Sequence, residues 1–123
     1  MKEINLISFL GELSIEFQRS KITYKEYIDN GNKFIYARIL KESNTNIRNN
    51  LLKNSFLLSE ELQEDALALI SHYDIWIEKW SDLYLKNTNL KLDDVFIFQN
   101  KHTFPKQSEL NLLNKFKKIK KEQ

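Results

Sequence analysis

The 123-residue chain has the length of one domain, and its 41% hydrophobic and 12% aromatic content is typical of a globular protein. It contains no cysteine, which excludes disulfides, thiol catalysis and cysteine-ligated metals. One proline and two glycines are too few for the many turns of an all-β fold. We therefore expect a single all-α domain spanning residues 1–123.

The formal net charge is only +2, but it is distributed unevenly along the chain. Residues 1–58 carry a net +3, residues 59–94 a net −6 and residues 95–123 a net +5. These blocks either neutralise one another within a bundle or leave a basic end for an acidic partner. No apolar run reaches 18 residues, and Glu3 and Glu12 flank the apolar N-terminal stretch. We expect no membrane span and no signal peptide, and a cytoplasmic location.

Apolar residues with helical spacing predict a first helix over about residues 2–19. They are Leu6, Phe9, Leu10, Leu13 and Phe17. Ile4, Ile7 and Ile15 widen this stripe, which indicates a helix packed on more than one side. Gly11 lowers helix propensity by about 1 kcal/mol relative to alanine, so we interpret it as a point of close approach to another helix.

A second helix is predicted to begin at Tyr24. Thr23 and Glu26 have the spacing of a capping box, in which each side chain accepts a hydrogen bond from the other residue's backbone N–H. Ile22 and Tyr27 have the spacing of the accompanying hydrophobic staple.

The second helix carries Gly31 on its packed face, and its apolar pattern weakens in the polar residues 41–46. Two interpretations are open at that point. Either the helix bends and continues to about Asn54, which we favour, or Asn44 or Thr45 caps a separate fifth helix.

The clearest pattern lies between Ser59 and Lys86, where ten apolar residues recur in three- and four-residue steps. Only an α-helix aligns such a series on one face. Ser59 is suited to cap this helix, and acidic residues follow it near the positive end of the helix dipole. The helix is about 40 Å long at about 1.5 Å per residue, so elements of similar length must cover it.

Residues 92–103 differ from the helical segments, because Val95, Phe96, Ile97 and Phe98 form a β-prone run without helical spacing. The chain offers no obvious second strand. We favour an extended segment that lies over the core, and the alternative is a strand edge that awaits a partner.

A last helix is predicted with Pro105 in its first turn and with a lysine-rich end that frays over about residues 117–123. The lysines are Lys115, Lys117, Lys118, Lys120 and Lys121. Four helices with mostly short connections predict an antiparallel helical bundle, with five helices if the second one divides.

No motif predicts catalysis, a metal or a cofactor. His72 and His102 are the only histidines, and neither has the partners of a bundle metal site. We also find no phosphate-binding loop and no nucleophile elbow. Asp74, Glu78 and Asp82 recur on one side of the third helix, which indicates a solvated acidic face suited to basic residues, including those of the chain's own tail.

The aromatic residues of the third helix allow three interpretations. Core packing is the first, an interface rich in tryptophan and tyrosine is the second, and stacking on a ligand is the third. Together with the β-prone run, they lead us to predict a non-enzymatic protein–protein interaction module that acts as a small subunit, adaptor or regulator. Its predicted contact residues are Trp76, Trp80, Val95, Phe96 and Phe98. A homodimer would also cover a long apolar face.

Two other hypotheses belong to different classes. The first is a nucleic-acid-binding regulator that uses the lysines of the last helix, from Lys115 to Lys121, and whose affinity falls steeply with salt. The second is an enzyme built on His72 or His102, which requires the fold to bring a carboxylate or serine close.

Three short patterns resemble those of small all-helical bacterial proteins from mobile-element and phage-defence neighbourhoods. They are His72-Tyr73-Asp74-x-Trp76-x₃-Trp80, Val95-Phe96-Ile97-Phe98 and Phe104-Pro105-Lys106-x-Ser108-Glu109. The resemblance covers residues 59–116 and implies a helical structure. It implies no activity, cofactor or catalytic residue.

Overall fold

The computed structural model describes residues 5–123, which form four α-helices and no extended strand pair. The helices are α1 (Leu6–Asp29), α2 (Phe34–Asn54), α3 (Glu60–Leu85) and α4 (Lys106–Lys121), with a single 3-10 turn at Ser55–Leu57. Each helix packs against the next along the chain, and α4 also packs against α1. The four helices thus close into a bundle, which confirms the predicted all-α fold class.

The helix α1 is continuous where the sequence predicted two helices. It begins after Asn5, whose side chain accepts a hydrogen bond from the Ser8 N–H at 2.9 Å. The predicted beginning at residue 2 lies outside the described residues. The predicted helix start at Tyr24 is wrong, because Thr23 is buried inside α1 and Ile22 is 64% exposed. Burial of one face of the helix overrides the local capping signal.

The break between α1 and α2 falls at residues 30–33 instead. Gly31 has a φ of +77° and Asn32 a φ of +59°, the left-handed region that glycine and asparagine tolerate best. The Asn32 N–H donates to the Tyr27 carbonyl at 2.9 Å, which closes the turn. Gly31 is therefore a turn residue and does not lie on a packed helix face.

The helix α2 runs unbroken through the polar residues 41–46 to Asn54, as the favoured interpretation predicted, and no separate helix begins within it. Its polar residues bind α1. The Ser43 hydroxyl donates to the Glu16 carbonyl at 3.2 Å, and Asn44 accepts a hydrogen bond from the Ser20 hydroxyl at 2.9 Å. These contacts compensate the burial of polar groups inside the bundle.

The helix α3 agrees with its prediction, and the Ser59 side chain accepts the capping hydrogen bond from the Leu62 N–H at 3.3 Å. The helix α4 is shorter, about 24 Å against about 39 Å for α3. Pro105 precedes α4 and does not lie in its first turn, which corrects the predicted position. Residues 86–105, the α3–α4 connection, cover the part of α3 that α4 does not reach.

The α3–α4 connection contains the β-prone run, which lies extended along the beginning of α2. Lys33 and Val95 form an isolated antiparallel bridge. The Phe34 N–H donates to the Asp94 carbonyl at 2.7 Å, and the Phe96 N–H donates to the Asn32 carbonyl at 2.8 Å. This confirms the prediction of an extended segment over the core.

The buried side chains form two clusters along the bundle. The first lies between α4 and the other helices and includes Phe9, Leu13, Leu51, Leu69 and Leu112. The second lies under the α3–α4 connection and consists of Tyr27, Phe34, Ala37, Leu40, Trp80 and Phe96. The helix α4 covers the first cluster, and the extended segment of the α3–α4 connection covers the second.

The two glycines are expected to respond oppositely to alanine. A methyl group at Gly11 would lie 3.5 Å from the Phe116 ring, an ordinary contact, so Gly11→Ala should raise the free energy of unfolding by about 0.5–1 kcal/mol. Gly31→Ala should lower it by about 1–2 kcal/mol because of the left-handed backbone, although nothing lies within 4 Å of the added atom. Urea denaturation of both variants checks the two signs, and equal effects would contradict them.

Candidate functional site

The structure brings the five predicted contact residues together but buries two of them. The ring centroids of Trp76 and Phe98 are 5.1 Å apart, as are those of Trp80 and Phe96. Trp80 is only 4% exposed and Phe96 only 2%, whereas Trp76 and Phe98 are half-buried. In this conformation Trp80 and Phe96 are core residues, so the surface available to a partner is narrower than predicted.

The exposed part of this region is the outer edge of the extended run, which we define by Val95 and Ile97. These side chains are 61% and 62% exposed, on the opposite side from Phe96 and Phe98. Sequence reasoning selected Val95 but omitted Ile97. The period-2 alternation of an extended chain places residues 95 and 97 on the same side and would have identified both.

The backbone follows the same alternation. The Tyr27 hydroxyl donates to the Phe96 carbonyl and accepts a hydrogen bond from the Phe98 N–H at 2.9 Å. In an extended chain the backbone groups of successive residues face opposite edges, so those of Val95 and Ile97 face away from α1 and α2. Within residues 5–123 they form no hydrogen bond.

A cavity of about 620 Å³ lies where the two buried clusters meet. We call it the aromatic cavity, because rings form much of its wall. Its aromatic and imidazole residues are Phe17, Tyr24, Tyr27, His72, Tyr73, Trp76, Trp80, Phe98, His102 and Phe104. It is bounded by α1, α2 and α3, by residues 98–104 of the α3–α4 connection and by the first turn of α4. Sequence analysis did not predict this cavity.

Charged and polar groups also line the aromatic cavity. Lys21 Nζ lies 2.7 Å from Glu109 Oε1, and the Glu109 side chain is only 7% exposed. Burial, followed by the charge of Glu109, raises the pKa of Tyr73, which keeps the phenol neutral. Trp80 and Asn100 also belong to the lining, but their donor atoms Nε1 and Nδ2 are inaccessible and have no hydrogen-bond partner within the described residues.

The fold thus places His72 and His102 around one cavity with the carboxylate of Glu109. Among residues 5–123, no three histidine or carboxylate side chains are arranged to hold a metal ion. Glu109 binds Lys21, and within residues 5–123 no carboxylate forms an ion pair with either imidazole.

The stability of the protein is expected to fall in mild acid because of His72. Burial of the imidazole, and secondarily the charge of His102, lower the pKa of His72 below its usual value of 6.5. As the pH falls below about 6.5, the unfolded chain therefore takes up a proton that the folded chain resists, and the free energy of unfolding decreases. Above that pH both states are neutral at this residue, and the effect is absent.

Denaturation curves between mildly alkaline and mildly acidic pH measure this effect, with His72→Gln as the reference. The wild-type free energy of unfolding should fall more steeply than that of the variant, while the carboxylates affect both alike. Parallel curves would contradict the expectation.

The sequence suggested that the lysines of α4 bind the acidic face of α3, which consists of Asp74, Glu78 and Asp82. Within residues 5–123 no ion pair joins these two groups. Arg48 of α2 binds Asp74, with Nε 2.7 Å from Oδ1. Lys117, Lys118, Lys120 and Lys121 are exposed, and Lys115 is half-buried. In the described part of the chain none of these five lysines forms an ion pair.

No protein-family model, curated protein or solved structure matches this chain. The resemblance to small helical bacterial proteins therefore stays a prediction. None of the helices within residues 5–123 has the length and apolarity needed to cross a membrane. The cytoplasmic location remains a prediction as well.

Proposed function

We propose that this protein is a non-enzymatic protein–protein interaction module that binds an extended segment of its partner along Val95 and Ile97. The observation that supports the proposal is the outer edge itself, where unpaired backbone groups and exposed apolar side chains coincide. An added strand would supply the missing hydrogen bonds, and its own side chains would cover Val95 and Ile97.

The other residues of the β-prone run form hydrogen bonds with the rest of this chain. The Phe96 and Phe98 backbones are bound by Asn32 and by the Tyr27 hydroxyl, so the outer edge is already extended before a partner arrives. Such preorganisation reduces the entropy lost on binding. The edge spans few residues, and each backbone hydrogen bond contributes a net of about 0.5–1.5 kcal/mol, so adjoining surfaces must add to the affinity of a complex that is stable enough to be purified.

The bundle that presents this edge is antiparallel in our proposal. Residues 30–33 connect α1 to α2, and residues 55–59 connect α2 to α3. Connections of this length join antiparallel neighbours. The 20-residue α3–α4 connection (residues 86–105) is long enough for the extended run.

Affinity purification from the encoding organism, at high salt and after nuclease treatment, tests the proposed function. The wild-type protein should recover a stoichiometric protein partner. Ile97→Pro removes an outer-edge N–H that the fold does not use and should abolish recovery, and Ile97→Lys should weaken it. Leu67→Lys on α3 is the matched control, because Leu67 is 60% exposed, and it should behave as the wild type.

The outcomes distinguish the possible partners. If the pure protein sediments as a dimer and Ile97→Pro as a monomer, the added strand comes from a second copy. If Ile97→Pro recovers the same partner as the wild type, the outer edge is not the binding surface, and the proposal is wrong.

The alternative function is a nucleic-acid-binding regulator that uses Lys115, Lys117, Lys118, Lys120 and Lys121. The absence of ion pairs at these lysines within the described residues supports it. Recovery of nucleic acid alone at low salt, lost at high salt and on deletion of residues 115–123, would favour this alternative.

A further inference from the structure

We propose that the segment bound at the outer edge belongs to a second copy of this chain, which pairs antiparallel to the first around a two-fold axis at Ile97. This pairing rests on the proposed function, because it uses the same edge, and it identifies the partner. Three features support it: the length of the free edge, the side chains that meet across the axis and the charges at the two ends.

The free edge is longer than Val95 and Ile97. From residue 95 to residue 101 the odd-numbered side chains are exposed, whereas Phe96 is buried and Phe98 and Asn100 are half-buried. This period of two is that of an extended strand, in which the odd-numbered backbone groups share one edge. Within residues 5–123 these groups form no hydrogen bond. The residues available for pairing are Val95, Ile97, Gln99 and Lys101.

The axis at Ile97 makes the edge complementary to itself. Ile97 lies opposite Ile97 of the second copy, and Val95 lies opposite Gln99. Residues opposite each other at hydrogen-bonded positions of an antiparallel pair exchange both backbone hydrogen bonds, so the free N–H and C=O groups of these three residues are all satisfied. The Ile97 side chain, 62% exposed in a single copy, is covered by its counterpart, which removes apolar surface from water.

The charges at the two ends favour this register. Asp93 and Lys101 are equally far from Ile97 along the chain, so the axis places Asp93 of each copy near Lys101 of the other. The Asp93 side chain is 92% exposed, and its only ion pair among the described residues, with Lys33, has an N–O distance of 4.0 Å. Lys101 is exposed and forms no ion pair within residues 5–123. Opposite charges across a strand pair stabilise it.

Other pairings of the two edges are less favourable. A shift of the axis by one residue toward the N-terminus brings Lys91 to Lys101, and a shift by one residue toward the C-terminus places Val95 opposite Lys101. Parallel pairing in the same register aligns Asp93 with Asp93 of the second copy. Like charges across a strand pair are destabilising. The antiparallel register at Ile97 also closes the assembly, because both copies use the same edge.

Analytical ultracentrifugation of charge-reversal variants tests the pairing. The pure wild-type protein should form a dimer. Asp93→Lys and Lys101→Asp should each weaken it about tenfold or more, because both ion pairs of the dimer become like-charge contacts. An equimolar mixture of the two variants should regain the wild-type affinity, since every contact between residues 93 and 101 then joins opposite charges.

Asp82→Lys and Lys117→Asp form the matched control pair. Both residues are exposed and lie on α3 and α4, outside the edge, so these variants reverse the same charges without changing the proposed contacts. Each should dimerise as the wild type does, and mixing them should not raise the affinity. Circular dichroism of all four variants checks that they fold.

A wild type that remains monomeric at millimolar concentration would overturn the proposal, as would charge-reversal variants that dimerise as tightly alone as when mixed. The affinity purification with Ile97→Pro distinguishes this failure from that of the proposed function. If the wild type is monomeric but Ile97→Pro loses another protein that the wild type recovers, the outer edge binds a different partner. If Ile97→Pro keeps that protein, the proposed function is wrong as well.

Discussion

The substitution Phe96→Ala is expected to lower the free energy of unfolding by about 3–5 kcal/mol, the usual cost of truncating a buried phenylalanine. Phe96 is 2% exposed, and its ring centroid lies 5.5 Å from that of Phe34 and 5.1 Å from that of Trp80. Truncation would leave a void at the centre of the second cluster, which the surrounding rigid rings fill only in part. Chemical denaturation followed by circular dichroism measures the loss.

Ile97→Ala is the control for this prediction. Ile97 is the next residue and is 62% exposed, so its truncation should change the free energy of unfolding by less than about 0.5 kcal/mol. If Phe96→Ala instead kept the wild-type stability and lost a binding partner, Phe96 would be a contact residue, as the sequence alone suggested.

The substitution Tyr27→Phe is expected to lower the free energy of unfolding by about 2–4 kcal/mol. The Tyr27 hydroxyl is the hydrogen-bond partner of the Phe96 carbonyl and of the Phe98 N–H. Removing it leaves two backbone groups without a partner, and each such group costs about 1–3 kcal/mol when buried. The side chain itself is only 2% exposed, so water has little access to replace the hydroxyl.

Hydrogen exchange adds a local measurement to the denaturation curve. The Phe98 amide should exchange faster in Tyr27→Phe, because it loses its acceptor. Tyr24→Phe provides the matched control, since Tyr24 is 57% exposed and its hydroxyl makes no hydrogen bond among the described residues. Equal stability and equal Phe98 exchange in the two variants would show that these hydrogen bonds contribute little.

The beginning of the chain shows why a correct local rule predicted a wrong boundary. Thr23 and Glu26 have capping-box spacing, but a capping signal contributes about 1 kcal/mol, less than the burial of Thr23 and Tyr27 on one continuous helical face. The true boundary carried its own signal, since Asn30-Gly31 is a common turn dipeptide. Choosing between two competing signals requires knowledge of which face the rest of the protein covers.

The predicted contact surface also depends on information that local sequence patterns lack. The sequence selected the correct neighbourhood, because Trp76 and Trp80 do contact the β-prone run. It did not separate Phe96 from Val95 as inside and outside, because alternation defines two faces without saying which one is buried. The Phe34 N–H donates to the Asp94 carbonyl and the Phe96 N–H to the Asn32 carbonyl. These hydrogen bonds set the register of the run against α2 and so decide which face is buried.

The sequence by itself determined the helical fold class and the helix α3 from end to end, since hydrophobic periodicity and capping are local properties of the chain. Only the tertiary structure decided that α1 is continuous, that Val95 and Ile97 form the outer edge, and that an aromatic cavity lies where the two clusters meet. Each of these depends on contacts between segments far apart along the chain. The Lys21–Glu109 pair on the cavity wall is one example, because no local pattern relates a residue of α1 to one of α4.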